Sequence, residues 1–447
     1  MIETATSNIF NYLNIEPTTS QSKALYEIEN FLDDKVEQIF ILKGSAGTGK
    51  TTLTKVLVDY LLAKNESFHL LSSTAKAASI LSNKTGHIGH TIHHLIYTPV
   101  TLEDGRVKFN YKPNESDTDT IFIIDEASMI PAQKASSGDF ISNNPLLVDL
   151  LRFVFNGKNN NQIIFLGDDY QLKPVNEDSS MALCPQGLSK AFNVKCKEVT
   201  LKEVVRQASH SPVLSLAIQV KEAKDNSKST YSIKPRRLAN ESDAISYYST
   251  YFNPNHLDEI MFIGKSNEQV EHLNQLVRAR LGFSELLEVG DVVMLRNNLQ
   301  KEQHTFVNGG IGIIKSLSTD VKEIAGLRFK NASIEFQDSQ RNVIVETKIF
   351  LDSLSNNMAK LNSESLRYLK NDRMKHNGTF RQSERITDDP YMSAMKLSYA
   401  YAMTCHKAQG SEWKRVLYTS EKLYNTDHAW LYTAVTRAKN EVLTWWF

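Results

Sequence analysis

The octapeptide GSAGTGKT, Gly44 to Thr51, is the feature that most constrains the fold of this 447-residue chain. It fits the pattern G-x-x-x-x-G-K-[ST], follows the short apolar run QIFILK, and opens the amphipathic run TTLTKVLVDYLLAK. The spacing therefore predicts strand, loop and helix in that order. Glycines let backbone N–H groups turn inward around phosphate oxygens, and the helix N-terminus adds partial positive charge. Lys50 supplies a point charge for the β and γ phosphates, and Thr51 a hydroxyl for Mg²⁺. The candidate nucleotide-binding residues are thus Gly44, Ala46, Gly47, Thr48, Gly49, Lys50, Thr51 and Thr52.

A unit of this kind needs a parallel sheet around it. SFHLLSS, TIFIIDE, NQIIFLGD and CKEVTL supply further short apolar strands between helical stretches, which predicts an α/β fold with helices on both faces. Ser227 to Asn255 is polar and poor in pattern, and marks a boundary. A second alternating set starts at IMFIGKS. The strand pattern from Gly290 to Ser316 predicts a turn at Asn308-Gly309-Gly310, and the parallel pattern resumes at KLSYAYAM and ends with NEVLTWWF. The expected organisation is a first domain over 1–226, a second over 256–320 and 390–447, and an inserted β-rich module over 321–389.

With 41% hydrophobic and 23% charged residues, the composition is that of an ordinary soluble globular protein. No run approaches the roughly 18 apolar residues of a membrane span, and the N-terminus does not read as a secretory signal. Cys184, Cys196 and Cys405 form no CxxC pair, so a disulfide framework and a zinc site are not expected, and a reducing cytoplasm is. A net charge of zero counts mildly against a nucleic-acid binder, but leaves room for a local basic groove.

Three further segments carry chemistry. The strand TIFIIDE delivers Asp125 and Glu126 at its C-terminal end, where open α/β sheets place ligands. Asp125 suits Mg²⁺, and Glu126 suits orienting or deprotonating an attacking water. LGDDYQLKPV places Gln171 at a similar strand end. Arg206 in LKEVVRQ and Arg437 in YTAVTRAK are candidates for the charge that phosphoryl transfer needs. Finally, VTLEDGRVKFNYK (Val100 to Lys112) carries Asp104-Gly105 between alternating runs, the signature of a two-residue hairpin turn. That turn predicts Leu102 opposite Val107, Val100 opposite Phe109 and Glu103 opposite Arg106.

The ordered set GSAGTGKT, STAKAA, HTIHHL, IIDEAS, GDDYQLKPV, VVRQ, TCHKAQGSEW and YTAVTRAK resembles superfamily 1 helicases from Gln21 to the C-terminus. QLKP and HKAQGSE select the RecD/Dda-like branch, which is related to the Pif helicases; MIPAQKASSGDF does not look like the Pif signature. The resemblance implies two RecA-like P-loop motor domains, a small pin hairpin over about 98–113, and an insert that forms a small barrel. It also implies ATP and Mg²⁺ as cofactors, 5′ to 3′ movement on single-stranded DNA, action at single-strand/duplex junctions, and a monomeric, bacterial or phage-encoded protein. By position, Gln21 matches an adenine reader, and Gln409, Gly410 and Glu412 match a segment coupling nucleotide to DNA. Thr74, Ala75, Lys76, His93, Asn308, Gly309, His406 and Lys407 match DNA-facing segments. Phe109 and Tyr111 are stacking candidates on the pin, or pack against its base. Two other readings remain open: a translocating or remodelling ATPase without strand separation, and a P-loop kinase, which leaves Arg437 and HKAQGSE unexplained.

Overall fold

The computed structural model describes residues 8–101, 107–134, 140–156, 160–205, 211–296, 299–301, 304–306, 308–337, 342–354, 363–421 and 423–445. Its first lobe is a six-stranded parallel sheet in the order Gly89–Thr91, Ser67–Ser72, Thr120–Asp125, Gln162–Gly167, Ile39–Gly44, Cys196–Leu201. Both faces are covered, because residues alternate in direction along each strand. Phe40, Leu42, Ile123 and Ile164 meet the helices Thr19–Asp34 and Lys50–Ala63. Ile39, Ile41, Phe122 and Phe165 meet the helix Leu146–Phe155. The first helix is fixed at its start by a capping box between Thr18 and Gln21.

The second lobe is a five-stranded parallel sheet in the order Arg236–Arg237, Ala438–Trp445, Trp413–Thr419, Ile260–Gly264, Ala402–Thr404. Trp445 ends its terminal strand fully buried. The helix Pro212–Asp225 lays Val213, Leu216, Ala217, Val220 and Ala223 into this lobe's core. The second lobe therefore starts before residue 226, because that apolar face has its partners there.

Between the second lobe's helix Asn267–Leu281 and its strand Ala402–Thr404 the chain forms a barrel. Val292–Leu295, Ile311–Leu317, Leu327–Gln337, Asn342–Phe350 and Met395–Tyr399 close a ring, with Lys322–Ile324 attached at one edge. It is wider than 321–389, since it takes strands from both flanks of that segment. Met395–Tyr399, predicted to resume the parallel sheet, belongs to the barrel, and the parallel sheet resumes at Ala402. The pairs Val292↔Ile313, Leu299↔Phe306 and Lys301↔His304 share one register, so the hairpin axis lies between 301 and 304, not at Asn308-Gly309-Gly310. Gly309 instead sits beside that hairpin at φ +88, donating its N–H to the Leu295 carbonyl.

A hairpin exists where the pin was expected, in a different register. Pro99 pairs with Phe109, Val100 with Lys108 and Thr101 with Val107. Such pairs enclose an odd number of residues, which excludes a two-residue turn and requires one of the longer hairpin loops. The predicted pairs of Leu102, Glu103 and Arg106 lie outside the described residues. Val107 and Lys108 also pair with Phe140 and Ile141, making a three-stranded sheet. Phe109 and Tyr111 pack against the first lobe's core. The Phe109 ring lies 5.7 Å from those of His93 and Tyr97, and the Arg152 guanidinium lies 4.6 Å from the Tyr111 ring centre. Both aromatics thus pack at the pin's base rather than standing free.

A candidate nucleotide cleft between the two lobes

The phosphate loop sits where the sheet ends and the Lys50–Ala63 helix begins, and its chain reversals need glycine. Gly49 has φ +88, and a Cβ there would lie 2.4 Å from Gln21 Nε2. Gln21 is 1% exposed, accepts from the Thr18 N–H at 3.0 Å and donates to the Thr48 carbonyl at 3.0 Å. It thereby ties the first helix to the loop, which leaves one Nε2 proton and one Oε1 lone pair for any contact with a base. The Lys50 ammonium donates to the Gly44 and Ser45 carbonyls, and Thr48 Oγ1 donates to Ser45 O at 2.8 Å.

A cleft of about 610 Å³ opens above the loop. One wall is first-lobe: Ala46, Gly47, Lys50, Thr51, Thr52, Asp125, Glu126 and Gln171. The other is second-lobe: Gly410, Glu412, Thr436, Arg437 and Lys439. Predicted catalytic residues from distant parts of the sequence are therefore brought together. Arg206 lies outside the described residues. Arg437 is 6% exposed and held by the carbonyls of Thr433 and Ser411 and by Thr436 Oγ1.

Burial raises the pKa of Asp125, Glu126 and Asp168 above the ordinary carboxylate range. For Glu126, the neighbouring Asp125 charge adds to the rise, while Arg437 and Lys50 oppose it. Asp125 Oδ1 accepts the Glu126 N–H at 2.8 Å, and Glu126 holds φ +52, a costly conformation for a residue with a side chain. Gln171 Oε1 and both amide atoms of Gln409 are buried with no hydrogen-bond partner among the described residues. Buried amides rarely go unsatisfied, so these are groups poised for a ligand or for a movement. Loop amides, a lysine, a hydroxyl and a carboxylate on one wall fit a nucleoside triphosphate with a divalent cation.

Two residues escaped the sequence reading, although both lie inside the quoted motifs. Asp168 is 1% exposed and accepts from the Tyr170 N–H at 3.0 Å and the Tyr432 hydroxyl at 2.9 Å. Tyr432 is 2% exposed, and its oxygen also accepts the Ala46 N–H at 2.8 Å. Nothing in the spacing of YTAVTRAK singles out its first residue.

Of the predicted strand-facing residues, Thr74, Ala75 and Lys76 lie beside the same seam. Thr74 caps the helix Ala75–Thr85, accepting from the Ala77 N–H at 3.2 Å. The Lys76 ammonium lies 5.6 Å from the Trp413 ring centre, and burial pushes its pKa down to about 8. A Cβ on Gly410 would lie 2.9 Å from Ala77 Cβ, so the HKAQGSEW segment touches the start of that helix. His406 and Lys407 occupy the short helix Cys405–Ala408, both with pKa lowered by burial, and Lys407 further by the neighbouring Arg296. His93 contacts the pin's base, and Asn308 is exposed beside the barrel hairpin.

Two family models match the chain: an AAA domain over residues 19–234 and a UvrD-like helicase C-terminal domain over residues 399–443. The ATP-dependent DNA helicase dda of Enterobacteria phage T4 is 25% identical over 292 residues, covering 64% of this chain and 62% of that protein. The ATP-dependent RecD2 DNA helicase of Deinococcus radiodurans is 29% identical over 180 residues, covering 40% of this chain and 21% of that one. The chain thus spans less than two thirds of the length of either relative. Among solved structures, Bacteroides Pif1 helicase in complex with ADP-AlF3 and ssDNA matches with a TM-score of 0.52 at 18% identity, covering 96% of this chain and 92% of that one. A second Pif1 structure, described as unwinding forked dsDNA by two coordinating helicases, matches at TM-score 0.52 and 19% identity, covering 96% and 92%. The family models and the two sequence relatives support a superfamily 1 helicase of the RecD/Dda/Pif-like kind, and the Pif1 structures share the two-lobed fold.

Proposed function

We propose that the chain is a monomeric ATP-dependent DNA helicase that moves 5′ to 3′ on single-stranded DNA and opens duplex at junctions. The observation that carries this reading is the composition of the cleft, whose walls come from different lobes and meet at a seam holding Lys76, Ala77 and Gly410. Any change in the gap between Lys50 and Arg437 must move the strand-facing segments relative to each other. In this reading Lys50 and the loop amides hold the phosphates, Thr51 and Asp125 hold Mg²⁺, and Glu126 takes the proton of the attacking water. Arg437 stabilises the charge that builds on the departing phosphoryl group. Mg²⁺ held by these residues would supply positive charge that offsets the charge of the phosphates.

Direction and strand separation rest on resemblance to the relatives. The test is ATP turnover with and without oligonucleotide, paired with unwinding of duplexes carrying 5′ or 3′ tails. Stimulated turnover with unwinding only from the 5′ tail supports the reading; unwinding only from the 3′ tail overturns the direction. One observation favours a second reading, translocation without unwinding: Phe109 and Tyr111 spend their rings on the pin's base. Stimulated turnover with neither substrate opened selects it.

A further inference from the structure

We propose that Tyr432 is a positioning residue that competes with nucleotide phosphate for the Ala46 amide, so that phosphate binding loosens a tie between the lobes. This rests on the reading that Gly44 to Thr51 holds a nucleoside triphosphate. The Tyr432 hydroxyl comes from the second lobe and reaches across the cleft. It accepts the Ala46 N–H at 2.8 Å and donates to Asp168 Oδ2 at 2.9 Å. Its ring centre lies 5.8 Å from that of Tyr170, whose own hydroxyl donates to Asp225 on the helix Pro212–Asp225. A second tie runs in parallel, from the Leu172 N–H to Thr433 Oγ1 at 2.8 Å.

A backbone N–H makes one strong hydrogen bond. Ala46 lines the cleft, so a phosphate oxygen that takes its N–H must displace the Tyr432 oxygen. The hydroxyl then keeps Asp168 alone, and both tied segments stay in the first lobe. Arg437 lies five positions further along from Tyr432, so the tie that weakens is close in sequence to the arginine. At the Ala46 N–H, contact with phosphate and contact with Tyr432 are thereby exclusive, and one of the ties between the lobes weakens.

Competition has a sign that a merely structural role lacks. Tyr432→Phe removes the competitor, and a neutral hydrogen bond is worth about 0.5–1.5 kcal/mol, or roughly two- to tenfold. A titration with Mg²⁺ and a fluorescent ADP, then a slowly hydrolysed ATP analogue, should show binding tighter by that factor for Tyr432→Phe. Thr433→Val, which breaks the parallel tie without touching the loop, should leave affinity within about twofold. Equal tightening in both variants means general release of the lobes and overturns direct competition. Weaker binding in Tyr432→Phe means that the hydroxyl contacts phosphate itself, and also overturns it. Wild-type protein that binds neither nucleotide sinks the nucleotide reading as well. Should Tyr432→Phe fail to fold, 3-fluorotyrosine at position 432 in otherwise wild-type protein decides, because its ¹⁹F resonance must shift on saturation with ADP; an unmoved resonance overturns the proposal.

Discussion

Gly410→Ala tests whether contact at the seam drives turnover. Gly410 has φ +75, a conformation that costs an alanine about 1–2 kcal/mol. Its new Cβ would also meet Ala77 at 2.9 Å from Cβ, 3.2 Å from Cα and 3.4 Å from N. Two of these are backbone atoms at the start of a helix that Thr74 caps, so the neighbour has little freedom to yield. Overpacking of this kind costs about 1–3 kcal/mol. The two costs act on different equilibria. The backbone strain is internal to the second lobe and lowers its stability. The clash is between lobes, and the protein escapes it by separating them. Gly282→Ala is the matched control, with φ +90 and nothing within 4 Å of its Cβ. Both variants should lose a few degrees in melting temperature, at about 2–4 °C per kcal/mol for lobes of this size. Only Gly410→Ala should also lose oligonucleotide-stimulated ATP turnover, by about 5- to 150-fold, the factor that 1–3 kcal/mol implies for lobe closure. Equal turnover in the two variants would refute the claim that the HKAQGSEW segment must press on the Ala75–Thr85 helix.

Other consequences follow from the same geometry. Lys50→Ala should abolish turnover while leaving the melting temperature near wild type; substantial residual hydrolysis would remove the loop from the site. Glu126 titrates above its ordinary 4.5 because burial disfavours its charge, and a base works only when deprotonated. Turnover should therefore rise with pH through a limb displaced upward from 4.5, and a kcat/KM profile with its acid limb at or below that value contradicts the role. Lys76 loses its proton near pH 8, so oligonucleotide affinity should weaken as pH climbs through about 8, and Lys76→Met should flatten that dependence in an anisotropy titration. Tyr97 donates to the 1%-exposed Asp149 at 2.8 Å, leaving Asn144 as its other side-chain partner. Tyr97→Phe should cost about 1–3 kcal/mol in urea unfolding, and a loss below ~0.5 kcal/mol would mean that Asp149 is satisfied otherwise.

The motifs of the cleft were legible because their chemistry is local in sequence. A loop of glycines between strand and helix, or an Asp-Glu pair at a strand end, carries its own context. What decides the arrangement between those motifs is long-range and left weaker traces. The barrel reads as two separate alternating stretches, since Met395–Tyr399 continues into the parallel sheet within three residues and one apolar pattern serves both. The pin was legible as a hairpin but not in register. Asp104-Gly105 is a strong local turn signal, whereas the observed pairing also satisfies Phe140 and Ile141, which sit more than thirty residues on. Gln21 shows the same limit at a single residue. Its position before the loop suggests a ligand contact, yet the capping box and the Thr48 carbonyl already use half of its amide's hydrogen-bonding sites.

Tyr432 is the sharpest instance, and it bears on how the two lobes are joined. A tyrosine between Leu431 and Thr433, both buried, reads as core, and its ring does pack in the second lobe's core. Only the last atom of the side chain leaves that core, and it lands on an amide of the phosphate loop more than 380 positions away. Residues that couple two lobes are of this kind. Their bulk is fixed by one lobe, so their pattern reports that lobe, while their function sits in one polar atom offered to the other. Gly410 couples the lobes by the absence of an atom, at the point where Ala77 approaches. The contacts between the lobes at Tyr432 and Gly410 are made where the second lobe's well-packed elements meet the first lobe's loop and helix starts. Substitutions there should change the communication between nucleotide and strand before they change the stability of either lobe.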